Sequence, residues 1–418
     1  KNISITADSY AGGIAGLNTG IITDCITSTA SGEKINASAN SAGGIAGFNN
    51  NGTISGKTYS TCDVSASGEA GGLIGSMTGG TVNGTVNDKI YSSGTVTSSS
   101  NFAGGLIGKL ESTVNLGTVT ISNCSHTSGD VTGNDYVGGL IGHAKNVTIE
   151  DCFSAGSITG NNYVGGLIGY VSGIDISNAV KVTDCHVRLK NDSVIDVKGS
   201  AYVGGLIGNV KCTDKSDAVT ISLCSAIGNI EATETESYVG GLIGNFEGNT
   251  NRAGNNISQC FSEGTVKASS IYGGGLIGSI NYCHIINCYS KSEVSGDNQI
   301  GGLVGIFDYS KIENCYAVGT VPAIQFCGGL LGKIGSNLSN NDIIASFRIK
   351  GIGGSQNTFG TGVDNMELIK TISTYLNASP PWEIEAYNPN NYDPPKKTWL
   401  IYSGKNDGFP YLNYNPPQ

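Results

Sequence analysis

A five-residue motif, Gly-Gly-(Leu/Ile)-(Ile/Val/Ala/Leu)-Gly, occurs eleven times, starting at Gly12, Gly43, Gly71, Gly104, Gly138, Gly165, Gly204, Gly240, Gly274, Gly301 and Gly328. The intervals run from 27 to 39 residues. That spacing belongs to solenoids, propeller blades and stacked arrays, so the chain cannot be one conventional globular domain. A cysteine follows the motif either 13 or 14 residues on (Cys25, Cys152, Cys288, Cys315) or 19 or 20 residues on (Cys62, Cys124, Cys185, Cys224, Cys260). The difference of six reads as a loop insertion, and Ile90 and Ala345 stand in the same place where the cysteine is missing. A third landmark is a glycine ahead of a β-branched pair, as in Phe153-Ser-Ala-Gly-Ser-Ile158 and Tyr316-Ala-Val-Gly-Thr-Val321. Each unit therefore holds three short extended pieces separated by turns.

These pieces are rich in Val, Ile, Thr and Tyr and bounded by Gly, Asn, Asp and Ser, the composition of short strands. No useful helix fits between them. Strands that short pair most simply with their counterparts one unit later, which makes an all-β parallel β-helix (β-solenoid) of about eleven rungs. At about 4.8 Å per rung the rod would be roughly 50 Å long. A propeller blade needs four antiparallel strands in roughly 40 residues, more than the short units contain.

Side-chain parity leaves one point open. Counting from the first motif glycine as zero, position two is Leu or Ile, position six is mostly apolar (Leu110, Val171, Val210, Phe246) and position five varies (Ser76, Lys109, His143, Asn209, Lys333). Even positions then face the core. Position three is nevertheless apolar in every copy, including Ile74, Ile107, Ile141 and Ile168. Either the glycine pair makes a corner that breaks the alternation, or an outer column of isoleucines is covered by something else.

Two tryptophans and eight of nine prolines fall in the last 40 residues. Residues 1–345 thus read as the repeat array and 346–418 as a C-terminal capping segment, since a β-helix end exposes unpaired backbone and must be covered. Asp364-Asn-Met-Glu367 with Leu368, Ile369, Ile372 and Leu376 predicts a short helix over about 365–376 in that cap. The N-terminal end reads as uncapped. A chain that starts at Lys1 and ends in Asn-Pro-Pro-Gln reads as a mature fragment.

The formal charge of −10 argues against nucleic acid or anionic lipid as a partner, because an acidic surface offers no counterion release. No apolar run reaches the roughly 18 residues of a membrane span. The nine register cysteines predict an internal column of small buried hydrophobes. Rungs about 4.8 Å apart also leave bridging between neighbours geometrically open. Cys212, Cys283 and Cys327 lie off register without a Cys-x-x-Cys pair, so no zinc site or other metal site is expected.

Catalytic constellations are missing from the sequence. His126, His143, His186 and His284 are scattered singly, without His-Glu-x-x-His, and each reads as an exposed loop or strand residue. No convincing Gly-x-Ser-x-Gly elbow occurs. Gly273-Gly-Gly-Leu-Ile-Gly278 matches a dinucleotide fingerprint only formally, inside a repeat with no helix after it, so no cofactor is expected. Asp24, Asp151 and Asp184 share their place before the register cysteine with Asn123, Asn287, Asn314, Thr61, Leu223 and Gln259, which suits an outward structural position better than a carboxylate pair.

The best binding candidates form a column two residues before the motif: Tyr10, Phe102, Tyr136, Tyr163, Tyr202, Tyr238, Tyr272 and Phe326. Tyr136, Tyr163, Tyr202, Tyr238 and Tyr272 could engage a sugar or protein ligand through ring and hydroxyl. The competing role is stabilisation of neighbouring rungs by stacking.

Val137-Gly-Gly-Leu-Ile-Gly142 and Val164-Gly-Gly-Leu-Ile-Gly169 resemble the GLUG motif of bacterial surface proteins, over about residues 10–345. The Trp399–Tyr414 stretch is similar to the tail that often follows such arrays. The resemblance implies a right-handed β-helix in a bacterial cell-surface or secreted protein, as in adhesin-like proteins and the non-catalytic region of some immunoglobulin A peptidases. It carries over no catalytic residues. The expectation is a non-enzymatic adhesion or display module whose partner is a host protein or glycan. The alternatives are a carbohydrate-active β-helix enzyme, a polysaccharide lyase or hydrolase, and the stalk of a larger surface protease.

Overall fold

A computed structural model describes residues 4–29, 32–112, 118–173, 180–188, 194–213, 218–249, 254–322, 326–335 and 342–349, and in the C-terminal part 361–363, 375, 378, 382, 384–386, 398–401 and 409–412. It is an all-β parallel β-helix. The unit holds five short strands rather than the expected three. In one rung they are Val137–Gly138, Ile141–Lys145, Val147–Glu150, Phe153–Ser154 and Ile158–Thr159. Each pairs in parallel with its counterpart in the next rung. The resulting sheets are here called the tyrosine, motif, threonine, cysteine and valine sheets, after the residues that mark them. Two- and three-residue strands escape a sequence reading because hydrophobic alternation needs at least four residues to show.

Among the described residues the motif and threonine sheets have eleven strands each and the tyrosine sheet nine. The cysteine and valine sheets merge where Ser225–Ala232 and Phe261–Lys267 run through both as single strands. Strand pairing continues through Phe347–Ile349 to Thr361–Val363. The helix expected at 365–376 lies, apart from the helical Tyr375, outside the described residues.

The motif is a corner. Leu140 and Ile141 both donate their N–H groups to Leu167 O, at 2.8 and 3.0 Å, and Leu206 and Ile207 both donate to Leu242 O in the same way. Successive amides that point in one direction mean that the chain bends there instead of pleating. Leu and Ile therefore both enter the core, and Leu140, Ile141, Leu206 and Ile207 are fully buried. This resolves the parity question in favour of the corner.

The second motif glycine forms a waist across the interior. A Cβ at Gly72 would lie 2.8 Å from Ser92 Cβ, and at Gly241 the same distance from Ser262 Cβ. Two hydroxyls facing the waist donate to motif carbonyls, Thr27 to Gly44 O (2.8 Å) and Ser262 to Gly275 O (2.6 Å), whereas Ser154 Oγ, facing Gly139, is buried without a hydrogen-bond partner. The waist separates two cores. One holds the motif Leu and Ile with the threonine-sheet apolar residues and most cysteines, the other the valine-sheet and tyrosine-sheet residues such as Val131, Val137, Ile158 and Val164.

The cysteine column differs in two places from its sequence expectation. Tyr59 pairs with Ile26 and Tyr91, so Thr58, not Cys62, occupies the register position, and Thr58 Oγ1 accepts Cys25 N–H at 3.3 Å. Cys62 belongs to the second core. Likewise Tyr316 pairs with Phe347, which puts Ser346 rather than Ala345 in register, and Ser346 Oγ accepts Cys315 N–H at 3.2 Å. Cysteine fills the same role higher up, where Cys288 Sγ and Cys315 Sγ each accept the preceding cysteine's N–H at 3.4 Å. All twelve cysteines are free. Burial pushes the thiols of Cys185, Cys224, Cys260 and Cys288 up, so they remain protonated packing groups.

The residue before the register position explains itself through its backbone. Asp24, Asn123, Asp151, Asp184, Gln259, Asn287 and Asn314 all sit in the left-handed region, with φ from 51 to 54°. Asp and Asn tolerate that region best among residues with a side chain. Ala345 shares the geometry at φ 44°. At the C-terminal end Trp382, Trp399, Phe409 and Leu412 cluster with Tyr289, Tyr316 and Phe347. The first rung leaves Ile14, Leu17, Ile21 and Ile26 exposed, although the equivalents of Ile14 in later rungs are fully buried.

Candidate functional site

Six column rings form one continuous stack. Phe102, Tyr136, Tyr163, Tyr202, Tyr238 and Tyr272 follow one another at centroid distances of 4.9 to 5.2 Å, with interplanar angles of 11 to 19°. The rung spacing of a parallel sheet sets that distance, so identical aromatics at one register position stack without further adjustment. Two expected members stand apart. Tyr10 stacks on Phe48, and Phe326 is separated from Tyr272 by the rung that carries Gln299.

The stack occupies the ring faces. Ring edges and hydroxyls remain outward on rings that are half-buried. Tyr136, Tyr163 and Tyr272 hold φ values of 53, 49 and 66°. A bulky residue there costs about 1–2 kcal/mol, which stacking offsets in part.

A second row widens the face. It comes from position five, next to the motif corner, and contains Lys109, His143, Tyr170, Asn209 and Asn245 in register. His143 stacks on Tyr170 (5.3 Å), while Tyr170 meets Tyr136 and Tyr163 edge-on at 5.5 and 5.2 Å. Lys109 Nζ lies 5.1 Å over the Phe102 ring, and Asn245 Nδ2 donates to Asn209 Oδ1 at 2.8 Å. Position five is legible in sequence as a variable outward site. That Tyr170 leans into the column is set by the corner, which brings the motif sheet beside the tyrosine sheet.

Burial pushes the Tyr170 hydroxyl up to about 12, so it is a neutral donor and acceptor. His143 is shifted the other way, from 6.5 to about 4, because burial disfavours the imidazolium; the pull of Glu111 opposes that shift, and repulsion by Lys109 and then Lys145 adds to it. Its Nδ1 is buried without a hydrogen-bond partner. The unfolded chain takes up that proton first as pH falls. Stability from neutral His143 is therefore present above 6.5 and is lost as pH falls from there towards 4. In an NMR titration the His143 ring signals should stay at their neutral position at about pH 5; titration near 6.5 would contradict the packing.

The other histidines are not the exposed residues expected. His126 is fully buried, with Ser92 Oγ 3.0 Å from Nδ1 and Gly129 O 2.6 Å from Nε2. His186 is buried between Asp184 and Ser225, and His284 Nε2 lies 3.2 Å from Glu313. In-register pairing turns these side chains into bridges between rungs, which a single sequence does not display. No group of three or more His, Cys, Asp or Glu suited to a metal occurs among the described residues.

Compared with known families, residues 296–321 match the family described as the GLUG motif. That stretch contains the copy that starts at Gly301 and runs through Cys315. No curated protein and no solved structure matches the chain.

Proposed function

We propose, from the premise that this chain is an array of GLUG-motif repeats, that it is a non-enzymatic adhesion or display module of a bacterial surface. The observation that supports this reading is the two-row face from Phe102 to Tyr272. It is long, regular and amphipathic, and its rings are held by stacking before any ligand arrives, so little conformational entropy is lost on contact. Such a face suits an extended host protein or glycan that contacts hydroxyls and ring edges over several rungs. No described helix is long and apolar enough to cross a membrane.

A glycan and matrix-protein array, run beside a polysaccharide-degradation assay, tests the reading. Binding without turnover is expected. The triple variant Tyr163→Phe, Tyr202→Phe, Tyr238→Phe keeps the stack, as Phe102 already does, but removes three hydroxyls. It should melt like the parent and lose about tenfold or more in affinity. Turnover without stable binding, or unchanged affinity in the triple variant, would overturn the proposal.

A further inference from the structure

A cavity of about 310 Å³ opens on the cysteine-sheet flank, away from the tyrosine face. Its size is at the lower end for small-molecule sites. Three consecutive rungs supply one wall, Asn123, Asp151 and Asp184, each at the left-handed turn before a register cysteine. Phe153 supplies the floor. Lys89 Nζ and the Arg188 guanidinium lie 5.9 and 5.3 Å from the centre of its ring. Neither cation is in an ion pair among the described residues, although two carboxylates share the cavity with them.

The polar wall is built rather than incidental. His186 is buried beneath it, with Nε2 2.8 Å from Asp184 Oδ1 and Nδ1 2.9 Å from Ser225 Oγ. With Ser225 donating to Nδ1, Nε2 carries the proton and donates to Asp184, which fixes that carboxylate beside Asp151. Burial and the neighbouring Asp184 raise the Asp151 carboxyl above its ordinary value. Two adjacent carboxylates accept hydrogen bonds, and vicinal hydroxyls donate them.

We propose that this cavity binds a single acidic sugar residue of the uronic acid type. The C–H groups of the sugar pack against the Phe153 ring beside its two cations, two ring hydroxyls meet Asp151 and Asp184 with Asn123 beside them, and the sugar carboxylate takes Arg188 and Lys89. The bidentate geometry of the guanidinium matches the carboxylate, and cations already placed over an aromatic ring need not be stripped of a protein partner to serve the ligand. The assignment goes beyond the adhesion reading and does not depend on the tyrosine face.

Methyl glucuronide and methyl glucoside titrated separately into the full chain, followed by ligand-observed NMR and calorimetry, provide the test. The glucuronide should bind about tenfold or more tightly than the neutral glycoside. Arg188→Gln should abolish that preference, and Phe153→Ala should weaken both ligands. Asp184→Asn should also weaken both while keeping the fold, because Asn occupies the same turn at 123, 287 and 314. Equal binding of the two glycosides, a preference retained in Arg188→Gln, or displacement by alanine, which would mark an amino-acid site, would each overturn the proposal. The tyrosine-to-phenylalanine variant leaves this cavity untouched, so failure here and failure of the adhesion reading give different results.

Discussion

Gly204→Ala is expected to prevent the array from folding cooperatively, at a cost above about 4 kcal/mol. A Cβ at this first motif glycine would fall inside the Ile207 carbonyl and lie 2.7 Å from Gly244 N of the next rung. Both obstacles are backbone, so no side-chain rotation relieves them. The same geometry recurs at Gly104, Gly165 and Gly240, where the added carbon would again meet the isoleucine carbonyl three residues on. Gly20→Ala is the control, with nothing within 4 Å of its Cβ, and should change stability by less than about 0.5 kcal/mol. Urea unfolding followed by circular dichroism measures both. Because each rung contacts its neighbours almost exclusively, the lesion should also open the array to proteolysis on either side of residue 204. A Gly204→Ala protein with the parent's midpoint would show that the motif is not sterically required.

Trp399→Ala should cost about 3–5 kcal/mol, the usual range for a fully buried tryptophan. Trp399 is 0% exposed, lies 5.9 Å from both Tyr289 and Tyr316 and 4.9 Å from Trp382, and donates from Nε1 to Asn287 Oδ1 at 3.2 Å. These contacts define where this part of the tail sits. It lies along the flank and covers the outward column Tyr289, Tyr316 and Phe347, which would otherwise be exposed. Tyr316 anchors it further by donating to Pro410 O at 2.6 Å. Both tryptophans belong to this cluster, so tryptophan emission reports on the tail alone and circular dichroism on the rungs. In the parent the two transitions should coincide. In Trp399→Ala the remaining Trp382 should red-shift at lower urea than the loss of sheet signal, and a variant that unfolds at the parent midpoint would rule out the bracing role.

Much of the fold was legible because the repeat imposes it. Identical residues at one register position must stack when strands pair in parallel, so the motif interval alone predicts the ladder Ile141, Ile168, Ile207, Ile243 and Ile277. The aromatic column was legible for the same reason. Irregular spacing hides the register. Cys62 has the residue type of the column but not its place, and Ser346 rather than Ala345 fills the register position, because a bend absorbs or releases residues without leaving a pattern. The left-handed turn at Asp151 and Asp184 was visible only as a tolerance for Asn and Asp, and its backbone cause needed φ.

The sequence by itself determined that the chain is a stack of rungs, that parallel pairing relates them, and that tyrosines recur at one place in each. Periodicity carries all of that, since it depends only on distance along the chain. The tertiary structure alone decided what lies side by side around the rung. The corner at Gly-Leu turns two apolar residues inward, the waist splits the core, and Tyr170 and His143 come to flank the tyrosine stack. It also joined Lys89, Phe153 and Arg188 around one cavity. Those three residues are far apart in sequence and occupy different positions in their rungs. Angles at the turns bring them together, and those angles are set by backbone sterics and packing of the whole rung.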